Sequence, residues 1–335
     1  MGLQIGEIVP RKEINIEDLK GKIIAVDAFN AIYQFLSSIR QLDGTPLMDS
    51  KKRVTSHLSG LFYRNIALLS DGLKLIYVFD GEYHVLKGKT QENREEAKDL
   101  AKEKFMQAVE DEDIDSMHKY SRGFTRLTEE MKEESKELLT SMGIAVTQAP
   151  GEGEMQASDL VKEGEAFAVG SQDYDALVVG GKYLIQNLTL SRKRKTPSGF
   201  VYIAPEIIEY ERVLNDLGID ADQFICLAIL VGTDFNPGGV KGIGPKKALA
   251  LVRQKKFPVQ IFKDVEERLD FNWQEVFEIF KKPNVKKEKI EFPKINENKI
   301  KEILVDRHEF SLERVENQIL KLRESKKEGS QQKLF

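Results

Sequence analysis

The stretch Leu75-Ile76-Tyr77-Val78-Phe79 is a short apolar run that ends directly in Asp80. Most of its residues are β-branched or aromatic, and both alternating positions are apolar. A strand that is covered on both faces of a parallel sheet has this composition, because neither side of it meets water. We therefore predict a buried parallel strand here, with an acid at its carboxyl end.

Two further runs share this pattern. Lys22 to Val26 precedes Asp27, and Ala166 to Gly170 shortly precedes Asp173. Helical patterns lie between the runs, and such alternation predicts a doubly wound α/β fold whose central sheet is mostly parallel and flanked by helices. Ligands bind outside the carboxyl ends of the strands in these sheets. The pattern thus predicts Asp27, Asp80 and Asp173 at one rim.

The remaining elements are less uniform. A fourth apolar run, Leu227 to Val231, lies shortly before Asp234 and fits either a strand or a helix, since Asp222 to Leu230 also has helical spacing. In Asp173-Tyr174-Asp175, a two-residue offset in extended chain would project both carboxylates to one side. Periodicity predicts helices at Arg126 to Met142, Lys246 to Arg253 and Trp273 to Phe280, and a strand at Ile144 to Thr147.

Two segments depart from the α/β pattern. Glu92 to Arg122 contains no Gly or Pro and is rich in Lys, Glu and Asp, which predicts a helical, weakly packed and mobile insertion. From Glu324 onward the chain is polar and loses periodicity, which predicts disorder in isolation.

Composition limits the function classes. The formal net charge is -4, so nucleic acid would have to meet local clusters of Lys and Arg, such as Lys241 to Lys256 and Lys281 to Lys301. Cys226 is the single cysteine, which excludes an internal disulfide and a thiolate metal cluster and favours a reducing compartment. No window approaches the roughly 18 apolar residues of a membrane span. We expect a soluble, intracellular protein without a membrane partner.

Seven acids form the candidate metal site. They are Asp27, Asp80, Glu152, Glu154, Asp173, Asp175 and Asp234. Several lie just past predicted strand ends, and seven carboxylates in one cleft would repel each other unless cations neutralise them or some stay protonated. Two hard divalent ions about 4 Å apart would relieve the repulsion and activate a water against a phosphodiester.

Other interpretations of these acids stay open. Each is explicable as a surface acid, and Glu152 and Glu154 suit the start of a helix through its dipole. A pair of aspartates after a strand also occurs in phosphatases of the haloacid dehalogenase type, but the Thr or Val usual two residues later is replaced by Leu177.

Basic residues accompany the acids. Lys87 and Arg94 are seven residues apart, two turns on one helix face, and suit a scissile phosphate, although a solvated face is the alternative. The stretch from Gly242 through Gly244 to Lys246 and Lys247 combines glycines, a helix start and cations, which predicts a sequence-independent grip on phosphate. Tyr33 fits either core burial or stacking on a base. Arg40 follows it by seven residues.

Five spaced motifs together resemble the flap endonuclease family, of the archaeal type. They are Val26-Asp27-Ala28, Tyr77-Val78-Phe79-Asp80-Gly81, Ala149-Pro150-Gly151-Glu152-Gly153-Glu154, Ser171-Gln172-Asp173-Tyr174-Asp175, and Gly232-Thr233-Asp234 with Gly242-Ile243-Gly244-Pro245-Lys246. The resemblance implies one nuclease domain over residues 1–320, with nuclease regions at about 1–100 and 127–235, a helical arch at about 87–126, a helix-hairpin-helix region at about 236–320 and a flexible tail at 321–335.

The resemblance also implies ligands and partners. Two Mg²⁺ or Mn²⁺ ions would bind the seven acids, Lys87 and Arg94 would act on the scissile phosphate, and Tyr33, Arg40 and Arg64 would contact DNA. Gly239, Val240 and Ile243 would offer carbonyls to a potassium ion. A sliding-clamp peptide would include Gln331, Leu334 and Phe335, although the chain stops where its last aromatic residue is expected.

The activity implied is removal of 5′ flaps from branched DNA, or from nicked and gapped duplex, with 5′-3′ exonuclease activity, in replication and repair. A monomer is expected, in the cytoplasm of an archaeon or in a eukaryotic nucleus. Two alternatives remain: another nuclease of the superfamily, and a non-catalytic DNA-binding or clamp-associated module that kept the fold.

Overall fold

A computed structural model describes residues 3–331, apart from positions 42, 83, 112, 114–115, 117–119, 121–122, 124–125, 191–192 and 197–198. Its strands are β1 (Lys12–Glu13), β2 (Ile23–Asp27), β3 (Lys74–Phe79), β4 (Ala145–Gln148), β5 (Ala168–Gly170), β6 (Tyr183–Gln186), β7 (Lys193–Thr196), β8 (Gly199–Tyr202) and β9 (Glu206–Glu209).

The α-helices are α1 (Ala28–Ser38), α2 (Ser56–Ser70), α3 (Gly88–Glu110), α4 (Glu129–Ser141), α5 (Gly153–Lys162), α6 (Asp175–Val178), α7 (Tyr210–Leu217), α8 (Ala221–Val231), α9 (Pro245–Gln254), α10 (Pro258–Lys263), α11 (Trp273–Lys281), α12 (Glu297–Lys301) and α13 (Leu312–Gln331). Short 3₁₀ turns cover Ile16–Leu19, Val85–Lys87 and Glu266–Arg268, and a π-helix covers Glu302–Arg307. None of the described helices combines the length and apolar character needed to cross a bilayer.

Seven strands form one sheet in the order β1-β9-β6-β5-β2-β3-β4. The neighbours β6, β5, β2, β3 and β4 are parallel, whereas β9 is antiparallel to β6 and to β1. The mostly parallel α/β sheet predicted from the apolar runs is therefore confirmed. β7 and β8 form a separate hairpin.

Both faces of the sheet are covered, which explains why residues 23–26 of β2 and 75–79 of β3 are apolar on both faces. One buried cluster joins the sheet to α5 and α8, and the other joins it to α1, α2, α4 and α13. At the centre of β3, Tyr77 is fully buried, and its hydroxyl donates to Asn65 Oδ1 at 2.8 Å. This bond removes the cost of burying a phenol hydroxyl.

The ambiguous run Leu227–Val231 is the end of helix α8, not a strand. Asp220 caps this helix, since its side chain accepts from Gln223 N–H at 2.9 Å and Gln223 Oε1 accepts from Asp220 N–H at 2.8 Å. Phe224 to Leu230 are buried on all sides, so the helix is apolar all round and mimics a buried strand. Cys226 lies within it as a buried free thiol.

The C-terminal helix continues beyond the predicted boundary. Helix α13 runs to Gln331, whereas the sequence predicted loss of order from Glu324. Val315, Ile319 and Leu322 are buried in the cluster that also contains residues of α1, α2 and α4. Because this packing stabilises the first turns of the helix, the polar residues that follow only have to extend it. Flexibility of the tail in solution stays a prediction, and Leu334 and Phe335 lie outside the described residues.

Candidate metal and phosphate site

The carboxyl ends of the parallel strands carry the acids. Asp27 ends β2 and caps α1, where its Oδ1 accepts from Asn30 N–H at 3.1 Å. Asp80 follows β3, and its Oδ1 accepts from Gly153 N–H at 2.6 Å. A Cβ on Gly153 would lie 2.6 Å from that oxygen, so only glycine lets the start of α5 approach the aspartate this closely.

The other acids come from the loops and helix starts next to these strands. Glu152 occupies the N-cap position of α5 without a capping side-chain bond, and Glu154 lies in the first turn. Asp173 follows β5, and Asp175 begins α6. The pair Asp173 and Asp175 is therefore not in extended chain as predicted, because Tyr174 already has helical backbone angles.

Asp234 is held by a turn after α8. Thr233 Oγ1 donates to Asn236 Oδ1 at 2.7 Å, and Asn236 Nδ2 donates to Ile229 O at 2.7 Å. Gly232 has a φ of 112°, in the region that glycine favours, and this lets the chain reverse at once. The turn thereby fixes Asp234 near the other acids.

Mutual repulsion connects all seven acids. Burial and then repulsion from Asp234 and Asp173 raise the pKa of Asp175 to about 7. Burial and then Glu152 raise the pKa of Asp80 to about 6. Burial also raises the pKa values of Asp27, Glu154 and Asp173, with further repulsion from neighbouring members of the set. The structure thus brings together the seven acids named from the sequence.

Two cations face this set. The Lys87 ammonium donates to Glu152 Oε2 and lies 3.6 Å from Asp234 Oδ2. Although burial opposes its charge, Glu152 and Asp234 raise the pKa of Lys87. Arg94 Nη2 donates to both oxygens of Asp234, at 2.8 and 2.7 Å. Both residues therefore point at the acids.

The sequence predicted Lys87 and Arg94 on one helix, and the structure differs from this in detail. Lys87 ends the 3₁₀ turn Val85–Lys87, and α3 begins only at Gly88. The two side chains nevertheless converge, since both contact Asp234. Helix α3 then carries mostly exposed side chains over residues 92–108, as expected of a weakly packed segment, and its mobility stays a prediction.

The donor set fits hard divalent ions, because every ligand is a carboxylate oxygen. Asp175 Oδ1 is buried without a hydrogen-bond partner, which costs free energy unless a cation or proton meets it. Among the described residues, no three acids or histidines already form a ready-made metal site. Lys87 and Arg94 contact two of the seven acids, Glu152 and Asp234.

The predicted DNA contacts have different surroundings. The Tyr33 side chain is 37% exposed, and Lys98 Nζ lies 5.7 Å from its ring centre. Arg40 donates to Gly44 O at 2.9 Å in its own turn. Arg64 lines a groove on the α13 side of the sheet, beside Gln318 and Lys321. Stacking by Tyr33 and DNA contact by the two arginines stay predictions.

The glycine-rich turn begins α9 as predicted. Gly242 has a φ of 80°, Gly244 is the N-cap and Pro245 is the first helical residue. The Lys246 ammonium lies 3.3 Å from Glu7 and is largely exposed, while Lys247 Nζ donates to Gly242 O at 3.2 Å.

The proposed potassium ligands lie in the same turn. The Val240 carbonyl accepts from Ile243 N–H at 2.9 Å, and Gly239 N–H donates to Asn236 O at 3.1 Å. Nothing in these contacts tests potassium binding, which stays a prediction.

Three polar residues at the site were not predicted from the sequence. Asn30 Nδ2 donates to Asp173 Oδ2 at 3.2 Å. Ser171 Oγ donates to Glu154 Oε1, and Thr90 Oγ1 donates to the Asp234 carbonyl at 2.7 Å. Ser171 belongs to the motif that contains Asp173 and Asp175, and Asn30 follows Asp27 by three residues. Nearness in sequence to the acids was therefore the one signal that could have identified these two residues.

Comparison with known proteins places this site in a family. Residues 3–101 match the XPG N-terminal domain, and residues 143–234 match the XPG I-region. Flap endonuclease 1 of Pyrococcus furiosus is 49% identical over 337 residues, which cover 100% of this chain and 98% of the relative. Flap endonuclease 1 of Staphylothermus marinus is 47% identical and covers 96% and 94%.

Solved structures agree. Flap endonuclease-1 from Methanococcus jannaschii has a TM-score of 0.77 and 42% identity, covering 97% of this chain and 98% of that one. The catalytic core of Rad2 in complex with DNA substrate has a TM-score of 0.68 at 23% identity, a likeness of fold alone. On the full-length identity to its archaeal relatives, the chain belongs to the flap endonuclease 1 family.

Proposed function

We propose that this protein is a structure-specific nuclease that removes 5′ flaps from branched DNA during replication and repair, and that it also degrades DNA as a 5′-3′ exonuclease. Seven carboxylates at the rim of a parallel sheet, faced by Lys87 and Arg94, carry the proposal in a chain of this family. The reaction is hydrolysis of a phosphodiester near the junction of flap and duplex, leaving a 5′ phosphate and a 3′ hydroxyl.

The cofactors that suit the site are two Mg²⁺ or Mn²⁺ ions. The seven acids would hold them directly or through bound water, since magnesium keeps waters and takes few carboxylates directly. When bound, such ions lower the pKa of a water and stabilise the leaving oxygen. The pKa values of Asp80 and Asp175, raised by burial and by neighbouring acids, support a site made for cations.

The protein's own cations have a separate task. Lys87 and Arg94 bind the scissile phosphate and stabilise the charge that develops on it in the transition state. Lys87 contacts Glu152 and Arg94 contacts Asp234, so both cations are oriented toward the acids that would hold the metal ions. Tyr33, which exposes part of its ring, stacks on a base near the cleavage site.

The proposed contact with duplex DNA lies in a part of the chain that follows Asp234. The turn Gly242 to Lys247 and the start of α9 offer backbone amides and exposed ammonium groups to phosphate, without reading sequence. Potassium on the carbonyls of Gly239, Val240 and Ile243 would strengthen this contact. Arg40 and Arg64 add further contacts with DNA.

The remaining assignments concern partners and place. A clamp peptide that includes Gln331, Leu334 and Phe335 would bind a sliding clamp. The protein acts as a monomer in the cytoplasm of an archaeal cell, at the nucleoid. The archaeal origin of the similar relatives supports this location.

Cleavage of defined DNA substrates tests the proposal. A double-flap duplex labelled at the 5′ end, incubated with protein and Mg²⁺, should give one main product cut near the junction. Gapped and bubble duplexes serve as comparison substrates, and preference for the bubble would indicate another nuclease of the superfamily. Absence of cleavage on every substrate, with DNA binding retained, would indicate a non-catalytic module.

A variant links cleavage to the acids. Asp175→Ala removes a central carboxylate and should abolish cleavage with Mg²⁺ while changing flap binding by only a few fold, because phosphate is gripped elsewhere. Asp270→Ala, an exposed acid, is the matched control and should cleave like the parent. Cleavage retained by Asp175→Ala would refute the catalytic assignment.

A further inference from the structure

Two uncharged side chains lie between the acids of three different elements. Asn30 is in the first turn of α1, directly after the strand that ends in Asp27. Ser171 is buried in the loop between β5 and Asp173. Both side chains donate hydrogen bonds to carboxylates of the site.

Asn30 connects Asp27 with Asp173. Its backbone N–H donates to Asp27 Oδ1 at 3.1 Å, and its side-chain Nδ2 donates to Asp173 Oδ2 at 3.2 Å. Its side-chain oxygen accepts from Gln172 N–H at 3.3 Å, which also fixes the orientation of the amide, since nitrogen must then face the carboxylate. Asn30 thus ties two strand ends together.

Ser171 continues this connection to Glu154. Its hydroxyl donates to Glu154 Oε1 and accepts from Asp173 N–H at 3.2 Å. A serine hydroxyl has one donor and two acceptor positions, so both bonds form at once. The neutral bridge therefore runs from Asp27 through Asn30, Asp173 and Ser171 to Glu154.

Neutral partners have a consequence that charged partners lack. Glu152 and Asp234 bond to Lys87 and Arg94, and those ion pairs cancel negative charge. The bridge instead holds Asp27, Asp173 and Glu154 in place without an ion pair. A carboxylate has about four acceptor positions, so one hydrogen bond leaves the others for a cation.

We infer that Asn30 and Ser171 are positioning residues, which fix the spacing of Asp27, Asp173 and Glu154 so that this side of the site is arranged before a divalent cation binds. The inference rests on the proposed metal-dependent nuclease. Without the bridge, the three carboxyl groups could move apart, and each cation would have to draw them back together. Loss of such a partner typically lowers metal affinity or activity about 10- to 100-fold.

The test is calorimetric titration of the full-length protein with Mn²⁺ in the absence of DNA. Ser171→Ala and Asn30→Ala should each weaken Mn²⁺ binding about 10-fold or more, and Ser171→Thr, which keeps the hydroxyl, should recover most of the loss. Ser158→Ala is the matched control. Its buried hydroxyl bonds to the Glu154 carbonyl at 2.8 Å and to Ala176 O at 3.0 Å instead of to a carboxylate, so it should bind Mn²⁺ like the parent.

Two further measurements separate positioning from damage to the fold. The unfolding midpoint without metal should match the parent for Asn30→Ala, and its cleavage defect should shrink as Mg²⁺ is raised, whereas a misfolded variant would stay inactive. If the parent binds Mn²⁺ and both alanine variants bind it equally well, or Ser171→Thr is as weak as Ser171→Ala, the inference is overturned. If the parent itself binds no Mn²⁺, the proposed metal-dependent function fails instead.

Discussion

Asp175→Asn should make the metal-free protein more stable at alkaline pH while destroying the metal site. Burial and repulsion from Asp234 and Asp173 raise the pKa of Asp175 from 3.8 to about 7. An acid with a raised pKa in the folded state contributes stability that is fully present below its unfolded value and is lost as pH rises through its folded value. The parent therefore loses stability between about pH 4 and pH 7.

The size of the loss follows from the shift. Each pKa unit corresponds to about 1.4 kcal/mol, so a rise from 3.8 to about 7 sets a ceiling of roughly 4 kcal/mol for this one carboxylate. The neighbouring acids share the repulsion and take up protons themselves, which lowers the value to about 2 to 4 kcal/mol. Asparagine has the same shape without the charge, so the variant avoids this loss.

The assay is urea unfolding followed by circular dichroism, at pH 8 and pH 4, in EDTA and in Mg²⁺. In EDTA the variant should be more stable than the parent at pH 8 and equal to it at pH 4. In Mg²⁺ the parent should gain more stability than the variant, because a ligand that binds the folded state stabilises it by mass action. Asp270→Asn, at an exposed acid, should change nothing. Equal stability of Asp175→Asn and parent in EDTA at pH 8 would refute the reasoning.

Lys246→Ala should weaken binding of all duplex substrates about equally and lower the salt slope of binding by roughly one, because its ammonium, which is largely exposed beside Glu7, is proposed to contact phosphate and no base; a fluorescence titration at several salt concentrations that shows an unchanged slope would contradict this. Gly60→Ala should cost about 1 to 3 kcal/mol in urea unfolding, since the added methyl would overlap the Phe35 ring of the adjoining helix; a stability equal to that of the parent would show that the helices can separate freely. Deletion of residues 331–335 should abolish clamp binding in a pull-down and leave cleavage of free flap DNA intact, and undiminished capture would place the clamp contact elsewhere.

Much of the α/β core was predictable because its strands are buried on both faces. The runs at residues 23–26, 75–79 and 168–170 are apolar on both faces, and the boundaries of β2, β3 and β5 differ from the predicted ones by only a few residues. Strands β6 (Tyr183–Gln186) and β9 (Glu206–Glu209) were not identified. Each has only two aliphatic residues, at its centre, so no apolar run stands out from the surrounding loops.

The errors at the site have local causes. The pair Asp173 and Asp175 was predicted in extended chain, but α6 begins at Asp175. Lys87 was predicted on the helix of Arg94, but a 3₁₀ turn precedes that helix. In both cases the carboxylate or ammonium still reaches the site. A short turn changes the local direction of the backbone, but the residue stays at the same end of the sheet.

The sequence by itself determined which acids end the parallel strands, and therefore that Asp27, Asp80 and Asp173 share one rim. Only the tertiary structure decided which uncharged side chains meet the acids. Asn30 bonds to Asp173 across 143 positions of sequence, and Thr90 bonds to the Asp234 carbonyl across 144. Periodicity records how a segment folds and which face it buries, whereas contacts between distant segments depend on how helices pack across the sheet.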